Sequence, residues 1–254
     1  MRILVTNDDG IHAPGLDICA DIARALSDDV WIVAPETDQS GVAHSLSLND
    51  PLRLRKINAH RFAVKGTPTD CVVMGVRHIL AEKIPDLILS GVNRGRNVAE
   101  DITYSGTIAA AMEGTILGIP SVALSLSFGA NTRQNPFWDT CIEHGPDVVR
   151  KILATKMPGN VLVNVNFPDC APTDVKGIAV TAQGHRGPEL LKIEARHDGR
   201  GHPYFWIAYD RRDRPAPGGG TDLAALAENK ISVTPLRLDL TDQPFMTQLA
   251  QTLK

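Results

Sequence analysis

Two adjacent carboxylates, Asp8 and Asp9, stand in the stretch Asn7-Asp8-Asp9-Gly10, separated by Thr6 alone from the short apolar run Ile3 to Val5. Neighbouring carboxylates repel one another and are tolerated where a cation lies between them or where one carries a proton. Hard oxygen donors of this kind suit magnesium, manganese or calcium better than zinc. A plainer reading is a helix-capping turn. A cap needs only one acid, and a second beside it adds repulsion without a counter-charge.

Three further polar stretches have residue types suited to chemistry. Ser40-Gly41 lies in the loop 36–45, Gly91 to Asn97 carries Asn93, Arg94 and Asn97, and Tyr104-Ser105-Gly106-Thr107 precedes the alanine-rich run Ile108 to Leu117. A serine before glycine is commonly just a turn, and Asn93 and Asn97 suit left-handed turn conformations. Ser105, Gly106 and Thr107 combine small side chains, hydroxyls and the unsatisfied N–H groups of a helix start, which favour anions and phosphate in particular; an ordinary N-cap accounts for them as well. On spacing alone His12 and His44 read as loop residues, Tyr104 as packing, and Asp70 as a carboxylate at the positive end of a helix.

The elements that must position these residues follow from periodicity. Ile3 to Val5 is a buried strand, Leu16 to Leu26 a helix opened by Pro14-Gly15, and Val30 to Pro35 a second strand, a β-α-β unit that predicts parallel pairing and a right-handed crossover. Leu52 to Ile57 and Arg61 to Val64 alternate as a hairpin at the sheet's edge. Thr67 caps a helix with Pro68 in its first position, running over 70–80. Strands are expected at 86–90, 121–126, 161–167, 178–181 and 231–236. Helices are expected at 108–117, at 138–156 with an interruption at Gly145-Pro146, near 221–227 and at 243–253. In an open parallel sheet, ligands bind beyond the carboxyl ends of the strands, where Asp8-Asp9, the Ser40 loop and the 93–97 turn converge, with the Ser105 helix start close behind. The expected architecture is therefore α/β with a mostly parallel sheet.

The stretch 184–220 differs in character. It is rich in charge, glycine and histidine around one bulky strand, Tyr204 to Tyr209, and ends in a polar segment with Pro215 and Pro217. Such a stretch cannot fill an interior and reads as a protruding hairpin arm; exposed Tyr204, Trp206 and Tyr209 make self-association a reasonable expectation. The chain divides on this reading into a core at 1–183, the arm at 184–220, and a closing strand and helix at 221–254.

A net charge of -3 over 254 residues argues against wrapping a nucleic-acid polymer. Cys19, Cys71, Cys141 and Cys170 form no C-x-x-C pair, which disfavours zinc and thiol redox chemistry. The apolar run after Arg2 is too short for a secretory leader, and no stretch approaches a membrane span, so a cytoplasmic location is expected.

These motifs, taken together, resemble the SurE family of metal-dependent nucleotidases. The resemblance is carried by Asn7 to Gly15, Ser40-Gly41 with Ser45-Leu46-Ser47, Gly66 to Cys71, Ser90 to Gly95 with Asn97, Tyr104 to Thr107 with Ala109 to Gly114, Asn164 and Asn166, and Ile231 to Leu236; it is weakest over 185–220. It implies a Rossmann-like three-layer core with the arm and an exchanged carboxyl-terminal segment used for dimers or tetramers. It also implies one divalent ion per subunit, magnesium or manganese, on Asp8, Asp9, Ser40 and Asn93. Its activity would be the hydrolysis of nucleoside 5′-monophosphates, extending to 3′-monophosphates and polyphosphate. Within that resemblance Asp8 or Asp9 would orient or deprotonate water, and Asn97, Ser105, Gly106 and Thr107 would hold phosphate.

Two rivals stay open on the residues. An aspartyl-phosphate enzyme also starts from a first-strand acid, but its D-x-D-x-[TV] pattern is missing; a non-catalytic nucleotide sensor would bind without releasing phosphate. Neither G-x-x-x-x-G-K-[ST] nor a first-turn G-x-G-x-x-G occurs.

Overall fold

The computed structural model describes residues 1–187, 191–209 and 219–253. Strand β1 (Arg2–Thr6) is buried along almost its whole length, as a strand covered on both faces must be, and this is why its sequence is continuously apolar rather than alternating. It pairs in parallel with β2 (Asp29–Pro35) and β5 (Leu87–Arg94). The sheet continues outward through β4 (Arg61–Lys65) to β3 (Arg53–Lys56) on one side. On the other it runs through β6 (Ser121–Leu126) and β7 (Val161–Phe167) to β11 (Ile231–Arg237) and β8 (Ile178–Val180). The order β3-β4-β2-β1-β5-β6-β7-β11-β8 is parallel except at β3 against β4 and β11 against β7. The expected hairpin thus sits at the sheet edge, and the mostly parallel α/β architecture is the one observed.

Alternate side chains of each strand serve opposite layers. Ile3, Val5, Leu87 and Leu89 pack with Ile22 of α1 (Pro14–Arg24) and Val148 of α4 (Trp138–Leu153). Leu4, Val33 and Ile88 face the other way, onto Cys71 and Val72 of α2 (Pro68–Met74) and Ala110 of α3 (Gly106–Ile116). Helix α3 is buried on nearly every face, which its run of alanines allows.

Several boundaries differ from expectation. Helix α1 begins at Pro14, two residues early, because proline's fixed φ and missing N–H suit a first helical turn. The helix expected over 70–80 is α2 followed by a π turn at Gly75–Ile79. Helix α4 runs unbroken through Pro146. Proline removes one hydrogen bond, yet Gly145 lets the helix lie against α1 so closely that a Cβ there would stand 2.6 Å from Ile22 Cδ1; tertiary packing keeps the helix continuous. Strand β5 also extends past Ser90 into the expected turn, with a register slip against β6 between Ser90 and Asn93.

The arm contains a strand the sequence reading passed over. β9 (Leu191–His197) pairs antiparallel with β10 (Pro203–Tyr209) as a separate two-stranded sheet. Leu191, Ile193 and Ala195 alternate with Lys192, Glu194 and Arg196, a period of two hidden by the high charge. Ile193, Phe205, Trp206 and Ile207 are exposed. The polar stretch at 210–218, with its two prolines, lies outside the described residues. Helix α5 (Asp222–Ala227) precedes β11, and α6 (Gln243–Thr252) closes the described chain with no buried residue.

Gly15 seats α1 on β5. A side chain at this position would run into the main-chain carbonyl of Val92. Gly15→Ala therefore lowers stability by about 1–3 kcal/mol in urea unfolding, since a backbone clash outweighs the helix-propensity gain of roughly 1 kcal/mol. A variant as stable as the parent would mean that α1 can move away from this turn freely.

Candidate active site

The end of β1 is a turn closed on itself. Asn7 Nδ2 donates to the Gly10 carbonyl (3.0 Å) and Gly10 N–H donates to Asn7 Oδ1 (3.3 Å). Gly10 holds φ +100, and its Cα lies against the backbone of Thr37, so the turn fits beneath the loop that follows β2. That loop is joined to it by Gln39 N–H donating to the Asp8 carbonyl (2.8 Å). The turn after β5 joins from the other side, where Arg94 N–H donates to Asp9 Oδ2 (3.1 Å). Thr107 at the start of α3 donates its hydroxyl to Asp8 Oδ1 (2.5 Å).

These contacts gather Asp8, Asp9, Ser40, Asn93, Asn97 and Ser105 around one cleft of roughly 310 Å³. Asp8 is buried, Asp9 half-buried and Ser40 exposed. Burial pushes the Asp8 carboxyl up to about 7, with the Asp9 charge adding to it and the Thr107 hydrogen bond opposing it. Burial also raises Asp9, against the Arg94 N–H, and Asp38 raises both. The site thus sets two carboxyls side by side, with the Arg94 charge offsetting only part of the rise at Asp9.

The donor chemistry fits a divalent cation. Two carboxylates, the Ser40 hydroxyl and the Asn93 amide line the same wall, and Asn93 Nδ2 is engaged with the Gly95 carbonyl (2.7 Å), so its side-chain oxygen is the atom that can ligate. Among the described residues no group of three or more Asp, Glu, His or Cys side chains forms a metal cage. A cation here would therefore rest on two charged and two neutral oxygens, the set that magnesium and manganese accept.

The four residues expected at the phosphate divide by role in the structure. Asn97 is buried and held in a network of amides: its N–H donates to Asn166 Oδ1 (2.8 Å), its carbonyl accepts from Asn164 Nδ2 (2.8 Å) and Asn166 Nδ2 (3.1 Å), and its Nδ2 donates to Ser125 Oγ (2.9 Å). Ser105 lines the cleft while its hydroxyl caps α3 at Ile108 N–H (3.1 Å). Gly106 permits α3 to begin on top of Asp8, since a Cβ there would stand 2.7 Å from Asp8 Cβ. Thr107 is fully buried with its hydroxyl directed to Asp8.

The remaining residues singled out in the sequence fall elsewhere. Tyr104 is 40% exposed and lines the cleft rather than packing inside. Asp70 completes a capping box with Thr67 and accepts Ser47 N–H (3.1 Å), as its position near a helix start predicts. His12 is exposed in the turn before α1, and His44 pairs with Glu113. Sequence reasoning missed Phe128, Asp101 and Arg186 on the cleft wall. Arg186 Nη1 bonds Asp101 Oδ1 (2.6 Å), and Asp222, fully buried, accepts the N–H groups of Ala99 (2.9 Å) and Gly184 (2.8 Å). Nothing local marks these residues, because their partners lie far along the chain.

Comparison with known proteins gives a consistent result. The family model described as "Survival protein SurE" matches residues 3–189. The protein named 5′-nucleotidase SurE from Azorhizobium caulinodans is 68% identical over 251 residues, covering 99% of this chain and 98% of that protein. The protein of the same name from Methylorubrum extorquens strain PA1 is 69% identical over 250 residues, covering 98% of each. The crystal structure of SurE from Aquifex aeolicus superposes with a TM-score of 0.84 at 40% identity, covering 100% of both chains.

A raised folded-state carboxyl has a definite linkage sign. Asp8, near 7 in the fold against 3.8 as its ordinary value, adds stability at low pH that is lost as pH climbs through about 7. In chelator, the protein should lose on the order of a few kcal/mol between about pH 5 and about pH 8, and Asp8→Asn should remove most of that slope. Equal urea midpoints at the two pH values would overturn the charge assignment.

Proposed function

The chain belongs to the SurE family, and from that premise we propose that it is a 5′-nucleotidase, hydrolysing nucleoside monophosphates to nucleoside and phosphate with one magnesium or manganese ion per subunit held by Asp8, Asp9, Ser40 and Asn93. The observation that carries this reading is the pair Asp8-Asp9, one buried and one half-buried with both carboxyls pushed upward, in a cleft that also presents the Ser40 hydroxyl and the Asn93 amide. When bound, the ion supplies Lewis-acid charge neutralisation at a phosphate oxygen and a lowered pKa for an associated water.

The protein's own residues do the rest. Thr107 fixes one oxygen of Asp8 and Arg94 N–H one oxygen of Asp9, which holds each carboxylate in a single orientation. Each keeps a second oxygen with which to ligate, or to orient and take a proton from the attacking water. Asn97, rigid within its amide network, and the N–H groups at the Ser105-Gly106-Thr107 helix start receive the phosphate oxygens as charge builds on them. Tyr104 and Phe128 at the same cleft offer apolar faces to the nucleoside.

The exposed apolar side chains of β9 and β10, with Phe245, Met246 and Leu249 of α6, support assembly into dimers or tetramers through the arm and the carboxyl-terminal segment. Four free, buried thiols fit a reducing compartment, the cytoplasm. Among the described residues no helix is long and apolar enough to cross a membrane.

The test is phosphate release from a panel of 5′- and 3′-nucleoside monophosphates and short polyphosphate, with magnesium, manganese or chelator. We expect release that chelator abolishes, and a fall on the order of 10²-fold or more in Asp8→Asn and Asp9→Asn. Nucleotide binding with no phosphate released under either metal would make the protein a sensor instead.

A further inference from the structure

We propose that His44 and Glu113 form a latch that fixes the Ser40 loop onto α3, making both of them positioning residues for the cation site. The inference rests on the cation reading above and concerns residues outside the ligand set. Residues 36–48 carry no regular secondary structure and run along the surface, with Ser40 exposed. Beside Gly41, at φ +77, a side chain would meet nothing within 4 Å. A ligand on such a segment is placed only as well as the segment is anchored.

The anchors lie toward its two ends. Glu36 N–H donates to the Val64 carbonyl (2.8 Å) and Gln39 N–H to the Asp8 carbonyl (2.8 Å); at the other end Thr67 Oγ1 donates to the Ser45 carbonyl (2.8 Å) and Ser47 N–H to Asp70 Oδ1 (3.1 Å). Between them the chain makes a turn with Ala43 at φ +53, a left-handed conformation that alanine keeps only where its surroundings impose it. Ala43 N–H meets the Tyr104 carbonyl (3.3 Å), and the next side chain, His44, places Nε2 3.0 Å from Glu113 Oε2. Glu113 is 8% exposed, and a carboxylate so buried is stabilised by the donor it meets.

Helix α3 then bears both halves of the site. Thr107 touches Asp8, and Glu113, six residues or about 9 Å of helix further along, touches the loop that carries Ser40. A straight helix between two contacts sets the separation of the two ligands. His44 does not line the cleft, so it acts through the loop rather than on substrate. Groups that orient a metal ligand from behind change affinity by about 10–100-fold when removed.

Calorimetric titration of manganese alone into the full, chelator-stripped protein tests the latch. His44→Ala should weaken manganese binding about 10–100-fold, while His44→Gln, whose side-chain N–H can still meet the carboxylate, should recover most of the affinity. Glu113→Ala breaks the same contact from the helix side and should weaken binding equally, so one variant that fails to fold leaves the other to decide. The double variant should be no weaker than either single one, because both remove a single interaction. Manganese affinity within about threefold of wild type in both alanine variants, or losses that add in the double variant, would overturn the latch. No manganese uptake by the wild-type protein would overturn the cation reading and the latch with it, an outcome distinct from the others.

Discussion

The structure depends on holding two carboxyls side by side, one buried and one half-buried. Asp8 and Asp9 follow one another at the end of the central strand, and burial raises both carboxyls. Each element that reaches this point does so with a group suited to the problem. α3 presents a hydroxyl, β5 a main-chain N–H, and the loop after β2 another N–H to the carbonyl of Asp8 itself. None of these is a cation. Neutral donors orient the carboxylates, and the Arg94 charge offsets the rise at Asp9 only in part, which separates this pair from a structural ion pair.

The same logic governs the neutral part of the cleft. Asn97 has its main-chain groups and one amide hydrogen committed to Asn164, Asn166 and Ser125, all buried. A buried polar network of this kind is stabilising only when its members are satisfied, and here it ties the turn after β5 to β6 and β7. The register slip in β5 between Ser90 and Asn93 shifts the strand end before pairing with β6 resumes at Asn93 opposite Ser125, which sets Asn93 on the cleft that the acid pair lines. Preorganisation lies in the sheet and its amides, and the exposed Ser40 loop depends on its own anchors.

Much of this was readable from residue order, for a physical reason: where the signal is contiguous, a sequence displays it. The strand into Asn7-Asp8-Asp9-Gly10, the Thr67 cap with Asp70 at the helix start, and the edge hairpin are all local patterns, and all are present. Ser40 and Asn93 acquired a ligand role only through family resemblance, since a serine in a loop has no distinguishing periodicity. Arg186, Phe128 and Glu113 carried no signal because each meets its partner from a distant segment. Helix α4 was misread at Pro146 because local propensity there is overridden by contact with Ile22, and β9 because charge masked its alternation.

Asp222 gives the site a direction in time. Its carboxylate holds Ala99, 123 residues earlier in the chain, and Gly184 beside Arg186. A polypeptide leaving the ribosome can lay down β1, β2, β5, β6 and β7 before Gln183 and Arg186 emerge to bond 99–101, and Asp222 adds its hydrogen bond to Ala99 later still. The acid pair thus comes from the first segment of the chain, and the hydrogen bonds that enclose the cleft at 99–101 come from segments made later.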